Sequence, residues 1–220
     1  MLTREIQTVL GHMLVPGEPE ERSRRSEECV REVLDTQIYS YPRTQLERSG
    51  VDVKTLLDIG SNVGAFVRFA SFWWPTLERA WCYDPNVSAC ELAAINAHSG
   101  TINCNIIPSA VTIDPFPLFH EEMDWGGSRT YGQNKGVRVT AVHPRDLPAA
   151  DVLKVDCEGP EMEVLSHYPH LAGVKFVCLE YHETRFRKSI MSILDAAGFV
   201  MKRGNPNVVE VDTQHWVRPQ

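Results

Sequence analysis

The sequence lacks several features that would each point to a particular class of protein. Its six cysteines include no Cys-x-x-Cys pair, which argues against a zinc ribbon or a dithiol redox site. No window approaches the ~18 apolar residues of a membrane-spanning helix, and charged side chains interrupt the start of the chain where a signal peptide would be apolar. We therefore expect a cytoplasmic protein with free cysteines and no membrane partner.

Basic residues are also too few for a broad nucleic-acid surface. The chain of 220 residues has 29 acidic and 22 basic side chains, which gives a net charge of −7. Proteins that bind nucleic acid over a wide surface have the opposite balance, so a nucleic-acid partner is disfavoured. With 43% hydrophobic residues, the length suits one sizeable α/β domain with its own core.

Two regions of the chain differ in their residue patterns. Residues 1–50 contain two predicted amphipathic helices, at 3–14 and 19–34, separated by a proline-rich break. This region is too short for a core of its own, and we interpret it as an N-terminal helical extension or lid. Residues 51–220 alternate strand and helix patterns, which predicts a mostly parallel sheet with helices on both faces.

The predicted elements of the second region are short and follow one another closely. The strands are Thr55–Ile59, Arg79–Tyr83, Asn103–Ile107, Arg138–Val142, Val152–Val155 and Phe176–Glu180. The helices are Ala65–Phe72, Ser88–His98, Pro160–His167 and Phe186–Ala197. Two last strands, Phe199–Lys202 and Val208–Val211, flank a Gly-Asn-Pro-Asn turn and predict a C-terminal antiparallel hairpin. The aperiodic stretch 116–136 is predicted to be a long functional loop.

The turn after the first of these strands carries the strongest functional signal. It follows the strand-end acid Asp58 and opens into a helix, as in the nucleotide-binding corner of an α/β sheet. Glycine allows a ligand to approach the backbone closely, and asparagine tolerates a left-handed conformation. The candidate cofactor-binding residues of this corner are Asp58, Gly60, Ser61, Asn62 and Gly64.

These residues favour one kind of adenosine ligand. A dinucleotide loop has glycine at its third position, where this chain has Asn62. Asp58 would repel a pyrophosphate, whereas S-adenosylmethionine carries a sulfonium and an ammonium and no phosphate. Asp84, twenty positions after Gly64, ends the next strand beside Pro85 and is placed to accept hydrogen bonds from ribose hydroxyls. The glycine turn and Asp84 alone do not separate a methyl donor from NAD.

A third motif resembles a known family. Residues 152–165 read Val-Leu-Lys-Val-Asp-Cys-Glu-Gly-Pro-Glu-Met-Glu-Val-Leu, which strongly resembles the Lys-x-Asp-x-Glu-Gly hallmark of the FkbM-type methyltransferases. The segment Asp58–Gly64 resembles the first motif of that family, and Leu179–His182 resembles its strand-end Glu-x-His. The three motifs occur in the family's order, and the resemblance covers roughly residues 56–211.

The resemblance implies a class I S-adenosylmethionine-dependent methyltransferase with a seven-stranded sheet whose last strand is antiparallel. The family mostly methylates hydroxyl oxygens, which implies a small-molecule or sugar acceptor. By analogy with this fold, Ser109 and Ala110 are expected at the adenine edge. Trp125 and Ser128, in the long loop, are expected at the acceptor.

Acidic and imidazole side chains near the ends of the next strands are the candidate catalytic groups. Asp156 and Glu158 lie at the carboxyl edge, where open α/β sheets bind ligands, and Asp156 is expected to face the methionine amino group or the acceptor. His182 follows the next strand at the same edge. Methyl transfer to an alcohol requires removal of a proton, and histidine titrates near neutrality, so His182 is the predicted general base.

Several alternatives remain open. His182 could instead bind a divalent ion together with nearby carboxylates, namely Asp156, Glu158 and Glu180. Their spacing is not that of a recognised metal motif, so a metal is not favoured. The acceptor could be RNA or DNA, which the net charge opposes, or the fold could be a binding module without catalysis. The sequence does not indicate an oligomeric state.

Overall fold

The computed structural model describes residues 2–39, 51–97, 102–114, 118–121, 129–131, 136–182, 184–203 and 212–219. Its strands are β1 (Thr3–Thr8), β2 (Gly11–Pro16), β3 (Thr55–Ile59), β4 (Arg79–Asp84), β5 (Asn103–Val111), β6 (Leu118–Glu121), β7 (Arg129–Tyr131), β8 (Val137–Val142), β9 (Val152–Val155), β10 (Phe176–Tyr181), β11 (Val200–Arg203) and β12 (Asp212–Val217). Its α-helices are α1 (Glu20–Leu34), α2 (Ala65–Trp73), α3 (Val87–Ala97), α4 (Glu161–His167) and α5 (Arg187–Ala196). None of the helices in these ranges combines the length and the apolar character required to cross a membrane.

The main sheet has the strand order β11-β12-β10-β9-β3-β4-β5-β8-β6-β7. Its centre is parallel, because β3 pairs in parallel with β4 and β9, β4 with β5, and β9 with β10. Strand β12 inserts between β10 and β11 and is antiparallel to both. From β11 to β5 the sheet is the predicted seven-stranded arrangement with an antiparallel last strand, which confirms the class I methyltransferase fold.

Helices cover both faces of the sheet, as predicted. Adjacent residues of a strand point to opposite faces, and Leu56 and Leu57 of β3 accordingly enter two different buried clusters. The first cluster includes α1, α2 and α3 side chains, and the second includes those of α4 and α5. This layering leaves the carboxyl ends of the parallel strands free to form a site between the helices.

Residues 3–14 form an antiparallel hairpin of β1 and β2, so the predicted helix at this position is wrong. Burial has a strand period, since Met13 and Val15 are buried and the residue between them is only partly buried. Val9, placed on the apolar face of the predicted helix, lies at the turn and is 66% exposed. Gly11 has φ +106° beside this turn, a conformation that suits a hairpin and not a helix.

The N-terminal elements share the core of the sheet. The second predicted helix is confirmed as α1, and its Val30 and Leu34 lie in the same buried cluster as α2 and α3. Buried Asn96 of α3 accepts a hydrogen bond from the Leu14 N–H (2.7 Å) and donates to the carbonyls of Leu14 (2.9 Å) and Val63 (2.8 Å). A single side chain therefore connects the hairpin to the glycine turn.

Two predictions at the edges of the sheet have mixed outcomes. The C-terminal hairpin begins at β11 as expected, the predicted strand at 208–211 lies outside the described residues, and β12 pairs with β11. The stretch 116–136, predicted as a loop, contains the antiparallel strands β6 and β7, although most of it lies outside the described residues. The sequence around these two strands, of four and three residues, has no clear periodicity from which they could be predicted.

Candidate functional site

A cavity of about 260 Å³ lies at the carboxyl ends of β3, β4 and β9. Its walls come from the glycine turn, from the segments after β4 and β9, and from the N-terminal region at α1 and the residues that follow it. The predicted cofactor residues that line it are Gly60, Ser61, Asn62, Asp84, Pro85 and Asp156. The structure thus brings most of the predicted donor site to one cavity.

The glycine turn is held tightly between two strands. The N–H groups of Gly60 and Ser61 both donate to the carbonyl of Tyr83, at 2.9 and 3.1 Å. Gly60 has φ +81°, and a Cβ atom there would lie 1.6 Å from the carbonyl oxygen of Asp156. Asn62 has φ +48°, the left-handed conformation that asparagine tolerates. Glycine is therefore required at position 60 by both its dihedral angle and its neighbour.

Asp84 connects this turn to the end of β4. Its two carboxylate oxygens accept hydrogen bonds from the backbone N–H groups of Asn62 and Asn86, each at 2.8 Å. Burial raises the pKa of Asp84 to about 6, against the opposing effect of these two N–H groups. A carboxylate has about four acceptor positions, so Asp84 keeps acceptor capacity for hydroxyl groups of a ligand in the cavity.

Asp58 lies below the turn and is not among the residues that line the cavity, so its predicted contact with a cofactor stays a prediction. Its side chain is fully buried, and Lys154 Nζ lies 3.4 Å from Oδ1. Lys154 also lies 3.2 Å from Asp156 Oδ2 and donates to the Gly60 carbonyl. Burial raises the pKa of Asp58 and would lower that of Lys154, but Asp156 and Asp58 raise the pKa of Lys154 overall. The glycine turn covers both side chains, and Asp58 supplies the negative charge that Lys154 needs in this buried position.

Three further predicted cofactor residues do not line the cavity. Gly64 ends the turn with φ +83°, where a Cβ atom would lie 3.2 Å from the Cα of Ala93, so it lets α2 and α3 approach each other. Ser109 and Ala110 lie inside β5, which continues further than predicted and pairs there with β8. They pair there with Thr140 and Ala141, and their predicted place at the adenine edge stays a prediction.

The predicted acceptor residues are not tested by the structure. Trp125 and Ser128 lie outside the described residues. Cys157 and Glu158 after β9 and Glu180 of β10 also line the cavity.

His182 is surrounded by carboxylates. Its Nδ1 lies 2.9 Å from Glu161 Oε1, and its Nε2 lies 3.5 Å from both Glu158 Oε2 and Glu180 Oε1 and 3.9 Å from Asp156 Oδ1. The imidazole is only 10% exposed. These four carboxylates belong to the segment after β9, the start of α4 and the end of β10, so the fold and not the local sequence brings them together.

The structure does not test the predicted role of His182 as the general base, but it shows which groups act on the imidazole. Burial alone would lower its pKa, but Glu161, Glu180 and Glu158 together raise it to about 10. His182 is also absent from the residues that line the cavity. Burial raises the pKa of Glu158 to about 7, with His182 acting in the opposite direction.

Two residues of the N-terminal region complete the cavity and were not predicted. The hydroxyl of Tyr39 donates to Asp156 Oδ2 at 3.3 Å, and its ring packs edge-on against Phe66 at 5.0 Å. Glu32 of α1 also lines the cavity, and burial together with Glu180 and Asp156 raises its pKa. Neither residue belongs to a motif, and only the tertiary fold reveals their position.

Comparison with known proteins gives a likeness to solved structures alone. No protein-family model matches the chain, and no curated protein matches its sequence. Methyltransferase FkbM from Methylobacillus flagellatus is 12% identical with a TM-score of 0.49, over 75% of this chain and 44% of that one. Magnesium protoporphyrin IX methyltransferase from Synechocystis, solved with bound SAH, is 10% identical with a TM-score of 0.43, over 91% and 86%. Similarity of this degree does not extend to activity or substrate.

Proposed function

We propose that this protein is an S-adenosylmethionine-dependent methyltransferase that acts on a hydroxyl oxygen of a small molecule or sugar. The observation that carries the proposal is the convergence of the glycine turn, Asp84 and Asp156 on one acidic cavity. Among the described residues that line it, Lys154 is the one lysine or arginine, and it is already paired with Asp58 and Asp156. Such a wall suits a sulfonium and an ammonium and is unfavourable for the phosphates of NAD or of a nucleic acid.

Each part of the cavity has a role in holding the donor. The free acceptor positions of Asp84 suit the two ribose hydroxyls, and the backbone at Gly60 and Ser61 allows close approach of the ligand. Asp156, which Lys154 and Tyr39 hold in place, offers a carboxylate for the methionine ammonium. When bound, S-adenosylmethionine supplies a methyl group made electrophilic by the sulfonium.

We place Glu158 as the acceptor of the hydroxyl proton. It lines the cavity, whereas His182 does not, and it follows Asp156 in a turn where its own φ is +60°. Asp156 is engaged by Lys154 and Tyr39, while the described ion pair of Glu158 is with His182 at 3.5 Å. His182 is then a positioning residue that holds Glu158 and its neighbours toward the cavity.

Calorimetry with S-adenosylmethionine and S-adenosylhomocysteine tests donor binding directly. We expect one ligand per chain, severe weakening in Asp84→Ala, and unchanged affinity in Asp195→Ala, a matched acid exposed on α5. Failure of the folded protein to bind either compound would overturn the proposal.

The nature of the reaction is tested separately with isotopically labelled donor and a metabolite extract. Mass spectrometry is expected to find the labelled methyl group on an oxygen. We expect Glu158→Gln to retain donor binding and to lower turnover by about 10²-fold, the usual effect of losing a general base. Labelled methyl found only on nitrogen or carbon would overturn the hydroxyl acceptor, and full activity of Glu158→Gln would overturn its role.

A further inference from the structure

The atoms around His182 Nε2 are spaced for a shared ligand and not for direct hydrogen bonds. The carboxylate oxygens of Glu158, Glu180 and Asp156 lie 3.5, 3.5 and 3.9 Å from this nitrogen. Charge-assisted N–H···O bonds are shorter, at about 2.7–2.9 Å. Two atoms that each lie about 2.1 Å from one metal ion are about 3.0–4.2 Å apart, depending on the angle at the ion. All three separations fall within that range.

The other imidazole nitrogen is held in the way typical of a metal ligand. Nδ1 lies 2.9 Å from Glu161 Oε1, and Glu161 is itself 1% exposed and accepts the Gly159 N–H at 2.8 Å. Histidines that bind metals usually donate the second N–H to a carboxylate or a carbonyl, which fixes the tautomer and leaves the ligating nitrogen unprotonated. The Glu161 contact therefore orients Nε2 toward the three carboxylates.

The balance of charge around the cluster also calls for a cation. Asp156, Glu158, Glu161 and Glu180 bring four carboxylates within 3.9 Å of one imidazole. Lys154 reaches Asp156, but it is shared with buried Asp58 and the Gly60 carbonyl. A divalent ion would satisfy several carboxylates at once.

We propose that Asp156, Glu180 and His182 form a binding site for one divalent cation of the Mg²⁺ or Mn²⁺ class. One ligand atom from each of the three lies within 4.8 Å of the others, and two of the residues, Asp156 and Glu180, line the cavity. Two carboxylates and one imidazole are a predominantly hard donor set, which suits these ions better than soft metals. Glu158 keeps its proposed role as the acceptor of the hydroxyl proton, and Glu161 is the positioning residue.

A metal at this position would act on the acceptor and not on the donor. When bound, such an ion supplies Lewis acidity that lowers the pKa of an acceptor hydroxyl. This catalytic role rests on the proposed methyl transfer, whereas binding of the ion does not. Ion binding and donor binding are therefore measured separately, so that the failure of one proposal is distinguishable from the failure of the other.

The test uses the full chain, stripped with EDTA and titrated with Mn²⁺ under electron paramagnetic resonance. We expect one bound Mn²⁺ per chain and, in pulsed spectra, a nitrogen coupling from an imidazole. His182→Gln is expected to abolish the nitrogen coupling and weaken binding at least tenfold, while His167→Gln, a matched exposed histidine on α4, leaves both unchanged. Glu161→Gln, which keeps all three ligands, is expected to weaken binding by about 10–100-fold.

Two results would overturn the metal site. One is a folded protein that binds S-adenosylhomocysteine but shows no Mn²⁺ binding, in which case a protonated His182 alone balances the carboxylates. The other is Mn²⁺ binding that His182→Gln leaves unchanged. Mn²⁺ binding with the expected nitrogen coupling but without S-adenosylhomocysteine binding would support the metal site and overturn the proposed function instead.

Discussion

Lys154 and Asp58 form a buried ion pair beneath the glycine turn, with Nζ 3.4 Å from Oδ1. Their side chains are 4% and 0% exposed, and they extend from the neighbouring strands β9 and β3, where the two residues stand in register. Lys154 also donates to the Gly60 carbonyl, so the ion pair holds the backbone of the glycine turn in position against the sheet. The stability of the sheet centre and the shape of the donor cavity consequently depend on the same contact.

Lys154→Met is expected to destabilise the protein by about 3–5 kcal/mol, because it leaves Asp58 buried without a cation. Urea denaturation followed by circular dichroism measures the change in the free energy of unfolding. Lys54→Met is the control, since Lys54 pairs with Asp52 and Glu78 at the surface and such pairs contribute about 1 kcal/mol at most. In the double variant with Asp58→Asn we expect a loss smaller than the sum of the two single losses. Strict additivity would contradict the coupling.

Gly60→Ala is expected to lower stability by about 2 kcal/mol or more, because the left-handed conformation and the contact with the Asp156 carbonyl both oppose a Cβ atom. Thermal unfolding measures the effect, with binding of S-adenosylhomocysteine as the second readout. Gly173→Ala is the matched control, since no atom lies within 4 Å of a Cβ built there. Equal melting temperatures for the two variants would contradict the close approach at Gly60.

Acidification is expected to weaken binding of S-adenosylhomocysteine through Asp84. Burial raises its pKa to about 6, and the protonated acid loses acceptor capacity for ribose hydroxyls. If the ligand binds the carboxylate form alone, affinity falls about tenfold between pH 7 and pH 5. Because the pKa is raised by folding, ionised Asp84 also destabilises the free protein, fully above pH 6 and not at all below the pKa of the unfolded chain.

Calorimetry across this pH range, with Asp84→Asn as the reference, isolates this group from other titrating carboxylates. The variant is expected to bind more weakly and to lack the step near pH 6. A pH profile that is the same in both proteins would assign the step to another residue.

Asn96→Ala is expected to loosen the N-terminal hairpin, because it removes three hydrogen bonds that connect Leu14 and Val63 to α3. Hydrogen exchange followed by mass spectrometry should show faster exchange in residues 3–16 before global unfolding. Asn105→Ala is the control, since Asn105 makes a single long bond of 3.5 Å to the Ala80 carbonyl. Unchanged exchange in the hairpin would show that packing alone holds it.

The parallel part of the fold could be predicted because short, mostly apolar strand segments alternate with helical segments along the chain. The strands Thr55–Ile59 and Val152–Val155 have the predicted bounds. The helix predicted at residues 3–14 is wrong because the helical spacing of Ile6, Val9, Leu10 and Met13 also fits a hairpin, and so short a segment does not distinguish the two. The positive φ of Gly11 distinguishes the hairpin from a helix, but it is a property of the folded turn and is not visible in the sequence.

The location of the site could be predicted more readily than the role of each side chain. Strand-end acids must meet at one edge of a parallel sheet, which is why Asp84 and Asp156 were placed correctly on the cavity. How deeply a side chain is buried depends on the tertiary structure. Asp58 is buried beside Lys154 because the glycine turn covers it. His182 contacts Glu161 only through the tertiary fold, because the two residues lie 21 positions apart in the sequence.

The cavity wall formed by Glu32 and Tyr39 has a consequence for how this chain can be divided. A fragment beginning at residue 51 would contain every strand of the large sheet, but its cavity would lose the wall that includes Glu32 and Tyr39 and the hydroxyl that donates to Asp156. A truncated or chimeric variant should therefore keep the N-terminal hairpin of β1 and β2. A fragment that keeps the complete wall of the cavity must include the first forty residues.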